Sequence, residues 1–514
     1  MCESQLAGHI HVRMLQLALS LLSAVAASAA PPLLPYPRST RAAGEGDDVV
    51  FIVSNANLSR TEQVTVATLS GVLARDSPRL YRLNTPEGDP TDTTHLWLNV
   101  LRNTTTIEFD DTTLLPSTLA GSIETLLAHF SRNISGFVLY DPTTNSTNAA
   151  LITCAAAPGN VIAVGDHPTQ SFLLSLGIPL VADVSASSPI DAFRAHKGGL
   201  SRRMAIFQPD DGSKSPCLSA FAMLGRIATV EHSAKAVVAY DEVVANYDAT
   251  TLNAAFGWTS WDEHWIVSTL TKHGAMIHAS DYASNLDILS NIAPTALRPA
   301  LAARRRERSV ARAAARARVK AEYARDARRG EGAAAQAQHT VAFVMSDGDN
   351  IQLLQNVGFM GATHYGSPLR GAVPVGWSYS PAMAALMPTL LGHVHDTLTA
   401  NDSISAGPSG AGYACVMRDC PSRLCVPQSF DLAAYGVYSR RYFEVAATTA
   451  APAPQALLRK HCCALTRSVA LCAAARCSAT RSSFRRTAFK RRRSAPRRPS
   501  LWRRARRPCA TSSA

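Results

Sequence analysis

The feature that most constrains the fold is a regular alternation of short apolar runs with longer helical stretches. Between residues 47 and 210 the runs are VVFIV, RLYRL, GFVLYD, NVIAVG, IPLVADV and MAIFQP, separated by helix-like segments such as 63–74 and 114–130. Short apolar runs that are bounded by turn residues and alternate with helices are typical of βα units with mainly parallel strands. The sequence therefore predicts small α/β units over residues 46–210.

A second series of this kind starts near residue 235 and runs through VAFVMSDGDN at 341–350 to SISAGPSGAGY at 403–413. Its strands end in polar or Gly-rich segments, and in (βα) barrels the C-terminal strand ends carry the catalytic residues. We expect an α/β fold in which a middle region, 211–295, and a catalytic region, 339–444, form a TIM-like barrel. About five strands precede the tail, whereas a complete barrel has eight, so the predicted barrel is truncated. A doubly wound sheet would give the same local pattern.

The run VAFVM at 341–345 stops at two acids, Asp347 and Asp349. Side chains alternate along a strand, so both carboxylates project to the same side if the chain stays extended. Carboxylates are costly to bury alone, so a polar group must meet them. An acidic turn in which Asp349 or Asn350 caps the next helix explains the same residues.

A series of ordered motifs resembles one known family. SDGDNIQ at 346–352, YGSP at 365–368, GW at 376–377 and AGPSGAGY at 406–413 follow RTEQVTVATLSGVLARDSPRLY at 60–81, GWTS at 257–260 and ASDYASNLDILS at 279–290. Together they resemble the GxGYxYP family of glycoside hydrolases over residues 50–295 and 339–413. The family signature departs after Tyr413, because Cys415 and Val416 stand where the family has Tyr and Pro.

The resemblance implies hydrolysis of glycosidic bonds in a carbohydrate substrate, without a cofactor. That reaction needs one protonated and one ionised carboxyl group. Asp347 and Asp349 are the best pair, because neighbouring carboxylates raise one another's pKa and help to keep one protonated. Glu263 and Asp281 are further catalytic candidates, and a helix-start or packing role is the alternative for each. Asn350 is a candidate substrate ligand.

Tryptophans are concentrated in the predicted catalytic half. Trp258 and Trp377 each follow a glycine at a predicted strand end, and indole faces suit the apolar faces of sugars, so we predict that both bind substrate. Trp261 and Trp265 are four residues apart and are predicted to lie on one buried helix face.

The segment 407–413, GPSGAGY, is predicted to be a tight loop that brings backbone amides, Ser409 and Tyr413 close to a ligand. Its partial G-x-S-x-G pattern raises the alternative of a serine esterase at Ser409. Pro408 disfavours the buried strand that such a nucleophile needs. The segment 407–413 also lacks the lysine of a phosphate-binding loop.

The net charge of +13 is concentrated in two segments. Residues 445–514 hold 17 Arg and Lys and no acid, and 298–331 hold 12 basic and 4 acidic residues, so the rest of the chain is net acidic. Nucleic-acid binding is therefore not predicted. The tail, 445–514, is predicted to be disordered, either as a polyanion-binding arm or as the product of a shifted reading frame. The Ala/Arg-rich segment 296–338 favours a solvated helical insertion or a retained intron.

Residues 1–30 resemble a cleavable leader, with an apolar core after Met14 and the small residues Ala27, Ser28 and Ala29. Asn-x-Ser/Thr acceptor sites for glycosylation follow, at Asn57, Asn103, Asn133, Asn145 and Asn401. Cys154 and Cys217 form one disulfide or remain two buried thiols, and the cysteine spacing predicts no metal site. No other segment is predicted to span a membrane. Oligomeric state is left open.

These observations predict a secreted or lumenal glycosidase. A glycan-binding relative without catalysis is the main alternative, and the esterase is the weaker one.

Overall fold

The structure is a computed structural model of the 514-residue chain. It describes residues 34, 36–45, 49–85, 93–110, 123–210, 214–259, 261–292, 297–298, 301, 303, 307, 314, 317, 318, 321, 325, 343–345, 350–355, 357–406, 410–415 and 434–439. All of these lie in the first of two compact units, Met1–Leu458. The predicted leader, the predicted tail and the second unit, Arg459–Ala514, lie outside the described residues.

The described strands alternate with helices along the chain. The strands are β1 Val50–Ser54, β2 Leu80–Leu83, β3 Phe109–Asp110, β4 Gly136–Leu139, β5 Val161–Val164, β6 Leu180–Asp183, β7 Met204–Phe207, β8 Ala228–Val230, β9 Asn253–Gly257, β10 Ala275–Ala279, β11 Val344–Met345, β12 Val375–Tyr379 and β13 Asp402–Ala406.

The α-helices are α1 Arg60–Leu73, α2 Thr94–Thr104, α3 Ile123–His129, α4 Thr147–Ala156, α5 His167–Ser175, α6 Pro189–His196, α7 Ser215–Gly225, α8 Val237–Ala245, α9 Glu263–Lys272, α10 Leu286–Leu289, α11 Asn350–Gln355, α12 Val357–Met360, α13 Met383–Leu386 and α14 Pro388–Thr397. Short 3-10 helices span Ser131–Asn133, Pro142–Thr144 and Lys197–Gly199. None of the helices in the described part of the chain is long and apolar enough to cross a bilayer.

The strands form four small sheets, with the orders β2-β1-β3, β5-β4-β6, β10-β9-β7-β8 and β11-β12-β13. Every strand pair in them is parallel. The α/β class and the parallel strands are therefore confirmed. The TIM-like barrel is not confirmed, because the described strands lie in separate open sheets of three or four strands.

Helix α1 packs against strand β5 and helix α7. A capping box at Ser59 and Glu62 fixes its start, and its last ten residues are all buried. The hydroxyl of Thr65 donates to the Ala163 carbonyl of β5 at 2.8 Å. At Gly71 an added Cβ would lie 2.1 Å from the Ala220 carbonyl oxygen, so the absent side chain allows α1 and α7 to pack in close contact.

The four-stranded sheet has a doubly wound order. From β7 the chain adds β8 on one side and then β9 and β10 on the other. β7 thus belongs to this sheet, although its residues fall within the predicted N-terminal units, 46–210. The order reverses between β7 and β9, and in open parallel sheets ligands bind outside the C-terminal ends of the strands at such a point.

The C-terminal strands form their own sheet, and two segments of this region contact β10 or the loop after it. Tyr413 pairs with Ile277 of β10 through two backbone hydrogen bonds, of 2.8 and 2.9 Å. The side chains of Gln352 and Gln355 in α11 bind the backbone of Tyr282 and Ser284. Within the predicted insertion, the described residues from 301 to 325 are helical, and all but residue 301 are exposed.

Cys154 and Cys217 are free thiols, so the disulfide alternative is wrong for this pair. Burial raises the pKa of the Cys154 thiol above its usual range, which keeps it protonated.

Candidate active site

The C-terminal ends of β7, β9 and β10, where the strand order reverses, carry a compact set of polar and aromatic side chains. β7 leads to Lys214, β9 is followed directly by Trp258, and β10 is followed by Ser280 and Asp281. The Ser280 hydroxyl donates to the carbonyl of His278, and the Gly257 amide donates to the Ser280 hydroxyl at 2.8 Å. These bonds hold the ends of β9 and β10 together, with Asp281 just beyond them.

Lys214 and Asp281 form an ion pair across the strand ends. The Lys214 ammonium donates to Asp281 Oδ2 in a short hydrogen bond. The Lys214 side chain is 26% exposed and that of Asp281 only 4%. Because β9 lies between β7 and β10, the lysine reaches from the β7 loop past the end of β9 to the β10 loop.

The second carboxylate oxygen of Asp281, Oδ1, is buried and has no hydrogen-bond partner among the described residues. An unpaired buried carboxylate oxygen is costly, and native structures keep such groups mainly where a ligand, an ion or water meets them. Asp281 can therefore accept a hydrogen bond from a ligand or supply an electron pair to one.

Tyr282 also contacts the ion pair of Lys214 and Asp281. The Lys214 nitrogen lies 4.4 Å from the centre of the Tyr282 ring, and this tyrosine is 55% exposed. Burial by itself lowers the Lys214 pKa, but the hydrogen bond and charge of Asp281, with a contribution from Tyr282, raise it above its usual range. Lys214 is thus a permanent cation at neutral pH.

The loop after β10 is anchored on both sides. The Asn285 side chain binds the backbone N–H and carbonyl of Arg82, at 2.9 and 2.8 Å. Arg82 in turn forms a fully buried ion pair with Asp287 at 3.1 Å. Gln355 Oε1 accepts from the Ser284 amide at 2.8 Å. The backbone that presents Asp281 is therefore fixed by neighbours from β2 and α11.

Asp347 and Asp349 lie outside the described residues, as does Ser409. Asn350 is the first residue of α11, the helix whose Gln352 accepts from the Tyr282 amide at 3.2 Å. The predicted catalytic pair thus immediately precedes, in sequence, a helix that contacts the Asp281 loop. The predicted roles of these acids remain predictions.

Trp258 and Tyr413, two predicted substrate ligands, lie together. Their ring centres are 5.5 Å apart, and both side chains are partly exposed. The Trp258 amide donates to the Phe207 carbonyl at the end of β7, so this ring is presented at the order reversal. The pair can offer an aromatic surface to a sugar face.

Trp377 has a different setting from the one predicted. It is 6% exposed, contacts Phe359 and Tyr365, and donates its indole N–H to Asp402 at 2.8 Å. Its position in the middle of β12, rather than at the strand end, buries it. The structure therefore places it in the core and does not support its predicted substrate role.

Trp261 also differs from its prediction. It precedes Asp262, the N-cap of α9, and is 51% exposed, so it does not share a buried helix face with Trp265. Its ring contacts those of Trp265 at 4.8 Å and His232 at 5.8 Å. Glu263 is an exposed residue in the first turn of α9, a position that fits its helix-start alternative.

Lys214 and Tyr282 were missed by the sequence reasoning. Lys214 is 67 residues from Asp281, and no local pattern signals that contact. Tyr282 adjoins Asp281 in the segment 279–290, which resembles the family, and this adjacency is the sequence signal for it. Among the described residues, no group of three or more His, Cys, Asp and Glu could hold a metal ion.

Comparison with known proteins agrees with this architecture. Three family models match: "GxGYxYP_N 1st domain" over 49–122, "GxGYxYP third domain" over 203–291, and "GxGYxYP putative glycoside hydrolase C-terminal domain" over 337–417. The third-domain match spans the four-stranded sheet, and the C-terminal match includes Asp347 and Asp349. No curated protein matches the sequence.

The fold is similar to the crystal structure of "a putative hydrolase from Bacteroides thetaiotaomicron VPI-5482", with a TM-score of 0.58 and 20% identity. The similarity covers 81% of this chain and 72% of that one. At this identity it shows a shared fold.

Proposed function

The chain belongs to the GxGYxYP family, and from that premise we propose that it is a glycoside hydrolase acting through paired carboxyl groups, of which Asp281 is one. The observation that carries the proposal is the buried Asp281 carboxylate at the C-terminal strand edge. One of its oxygens is held by Lys214, and the other has no partner among the described residues. A substrate can therefore bind Oδ1 of Asp281 while Lys214 keeps its hydrogen bond to Oδ2.

The second carboxyl group is proposed to be Asp347 or Asp349. Both lie within the segment matched by the C-terminal family model. They precede α11, whose Gln352 and Gln355 bind the loop that carries Asp281. Glycosidases place two carboxyl groups on either side of the scissile bond, and two chain segments that meet at one loop suit that arrangement.

The aromatic pair Trp258–Tyr413 is the proposed sugar-binding surface. Trp258 follows β9, which is the strand next to β10, so the pair lies on the same edge of the sheet as Asp281. Stacking on an indole orients a sugar ring through its apolar face and leaves the hydroxyls for polar groups.

The proposal is tested with aryl glycosides and the variants Asp281→Asn, Asp347→Asn and Asp349→Asn. Asn keeps the shape of the side chain but can neither attack as an anion nor donate a carboxylic proton. We expect Asp281→Asn, and at least one of the other two, to lower kcat by about 10²- to 10⁴-fold.

The matched control is Asp183→Asn, an exposed acid at the end of β6 in another sheet. It should leave kcat unchanged. Melting curves for each variant separate loss of chemistry from loss of fold. Unchanged turnover in all three test variants contradicts the paired-carboxylate mechanism. Glycan retention without turnover by the wild-type chain would identify the non-catalytic relative, and turnover of aryl esters alone would identify the esterase.

A further inference from the structure

We propose that Trp261 forms a second sugar-binding position, beyond the Trp258–Tyr413 pair, so that the substrate is a glycan chain of several sugar units. This inference rests on the proposed glycosidase function and names the class of its substrate. Its basis is the placement and the support of the exposed aromatic side chains.

Two strongly exposed aromatic side chains lie at the C-terminal edge of the four-stranded sheet. Three aromatic residues in the described part of the chain are more than half exposed: Trp261 at 51%, Tyr282 at 55% and Phe343 at 61%. Trp261 and Tyr282 follow β9 and β10 at that edge, whereas Phe343 precedes β11 in another sheet. Single exposed apolar residues are ordinary on a protein surface, so it is the shared position at one strand edge that points to a ligand.

Trp261 extends the aromatic surface toward the β8 end of the sheet. Trp258 and Trp261 are three residues apart between β9 and α9, and the Trp261 ring contacts that of His232, which follows β8. In the order β10-β9-β7-β8, β8 and β10 are the two outer strands. Neighbouring strands lie about 4.8 Å apart, so the strands that lead to Asp281 and to His232 are about 14 Å apart. A ligand that reaches from one to the other is longer than one sugar ring.

Neighbouring side chains hold the Trp261 ring in place. Its centre lies 4.8 Å from that of the Trp265 ring and 5.8 Å from that of the His232 ring. The Trp261 amide donates to Thr259 Oγ1 at 2.9 Å, and Nδ1 of His232 lies 2.5 Å from the same oxygen. Burial lowers the pKa of His232 to about 4, so this ring is neutral at pH 7. The exposed half of Trp261 is therefore backed by fixed, uncharged rings, and a preformed surface loses little freedom when a ligand binds.

A glycan fits this surface better than a protein partner does. The three residues that follow Trp261 are exposed and polar, so the apolar ring is bordered along the chain by Asp262, Glu263 and His264. Stable protein interfaces bury about 1,000 Å² or more, and charged residues are depleted at their centre. A sugar ring instead needs one aromatic face for its apolar side and polar groups nearby for its hydroxyls. The Trp261 surface offers both, next to the proposed sugar surface at Trp258.

The test measures binding to immobilised oligosaccharides of one to six units, built from glucose, mannose, galactose, xylose or N-acetylglucosamine. The wild type should bind the longer members of at least one series more tightly than the shorter ones. Trp261→Ala should weaken binding of the longest members by about 2- to 10-fold, the value of one aromatic contact, and this loss should shrink as the chain shortens. Trp261→Phe, which keeps an aromatic face, should retain most of the affinity.

The matched control is Phe343→Ala, which removes a comparably exposed ring away from this edge and should leave binding of every oligosaccharide unchanged. Melting curves exclude loss of fold as the cause of a change. If Trp261→Ala binds every chain length as the wild type does, or if the wild type binds none of the oligosaccharides, the second sugar position does not exist. A loss that depends on chain length, in a protein that hydrolyses no glycoside, would support the sugar position and refute the proposed function. Turnover of aryl glycosides without any effect of Trp261→Ala on oligosaccharide binding would do the reverse.

Discussion

The exposure of a tryptophan decides whether its removal changes stability or binding. Trp377 is packed between aromatic rings, and its indole N–H donates to Asp402, whose side chain is fully buried. Trp261 has half of its surface in solvent, with Trp265 and His232 beneath it. The same substitution at these two positions should therefore have very different effects.

We predict that Trp377→Ala lowers the free energy of unfolding by about 3–5 kcal/mol, because it leaves a cavity and an unpaired Asp402 oxygen. Trp261→Ala should cost about 1 kcal/mol, the value of one aromatic contact. Urea denaturation of both variants measures the difference. Equal losses would show that Trp377 is not a core residue.

Some residues of the candidate site could be predicted from sequence and others could not. Asp281, Trp258 and Tyr413 directly follow apolar or Gly-rich runs, and the C-terminal end of a strand is visible in such runs. Lys214 depends on a contact across three strands, which no local pattern encodes. The burial of Trp377 depends on Phe359 and Tyr365, whose packing is likewise set by the tertiary fold.

At the scale of elements, Gly257 controls the geometry of the strand end that presents Trp258. Its φ is 90°, and an added Cβ would lie 2.0 Å from the Phe207 carbonyl oxygen of the neighbouring strand. Gly177 has a comparable φ of 76° but open space around the missing Cβ. An alanine at Gly177 therefore introduces backbone strain alone, whereas an alanine at Gly257 introduces strain together with steric overlap.

We predict that Gly177→Ala destabilises the fold by about 1–2 kcal/mol through strain alone. Gly257→Ala should add about 1–3 kcal/mol of overpacking to a similar strain. It should also disturb binding at Trp258, which Gly177→Ala leaves intact. Thermal melts and glycan affinity for both variants give the comparison. Equal losses of stability in the two variants would mean that β7 and β9 can move apart at no cost in free energy.

The strands and their parallel pairing were predictable, because apolar runs between helices encode them. Their arrangement was not. Barrels and doubly wound sheets share the same alternation of strands and helices along the sequence. Which of the two architectures forms depends on the side of β7 that each later strand joins. β8 pairs with one side of β7 and β9 with the other, and no local sequence pattern encodes that choice.

At the scale of the whole molecule, the acceptor sites for glycosylation share one property. All five are exposed, although they come from helices and loops in different parts of the chain: Asn57, Asn103, Asn133, Asn145 and Asn401. Exposure is required for a bulky glycan on a folded surface. It supports the proposal that the chain enters the secretory pathway.

We predict that expression in a eukaryotic secretory host yields a chain cleaved near Ala29 that carries glycan at several of these positions. Treatment with an amidase specific for N-linked glycans should increase the gel mobility, and N-terminal sequencing should begin close to residue 30. Asn→Gln changes at the five sites should abolish the shift. An intact Met1 with no mobility change would exclude secretion.

The contacts of α11 and Tyr413 with β10 and its following loop have a consequence for segment 296–338, which connects these two parts of the chain. Gln352, Gln355 and Tyr413 bind within residues 277–284 by noncovalent contacts alone. The covalent path through 296–338 contributes to this docking through the effective concentration that it imposes on the two regions. For a flexible connection, each doubling of length costs about 0.6 kcal/mol. Changes in the length of the 296–338 segment that leave these contacts intact should therefore cost this docking little.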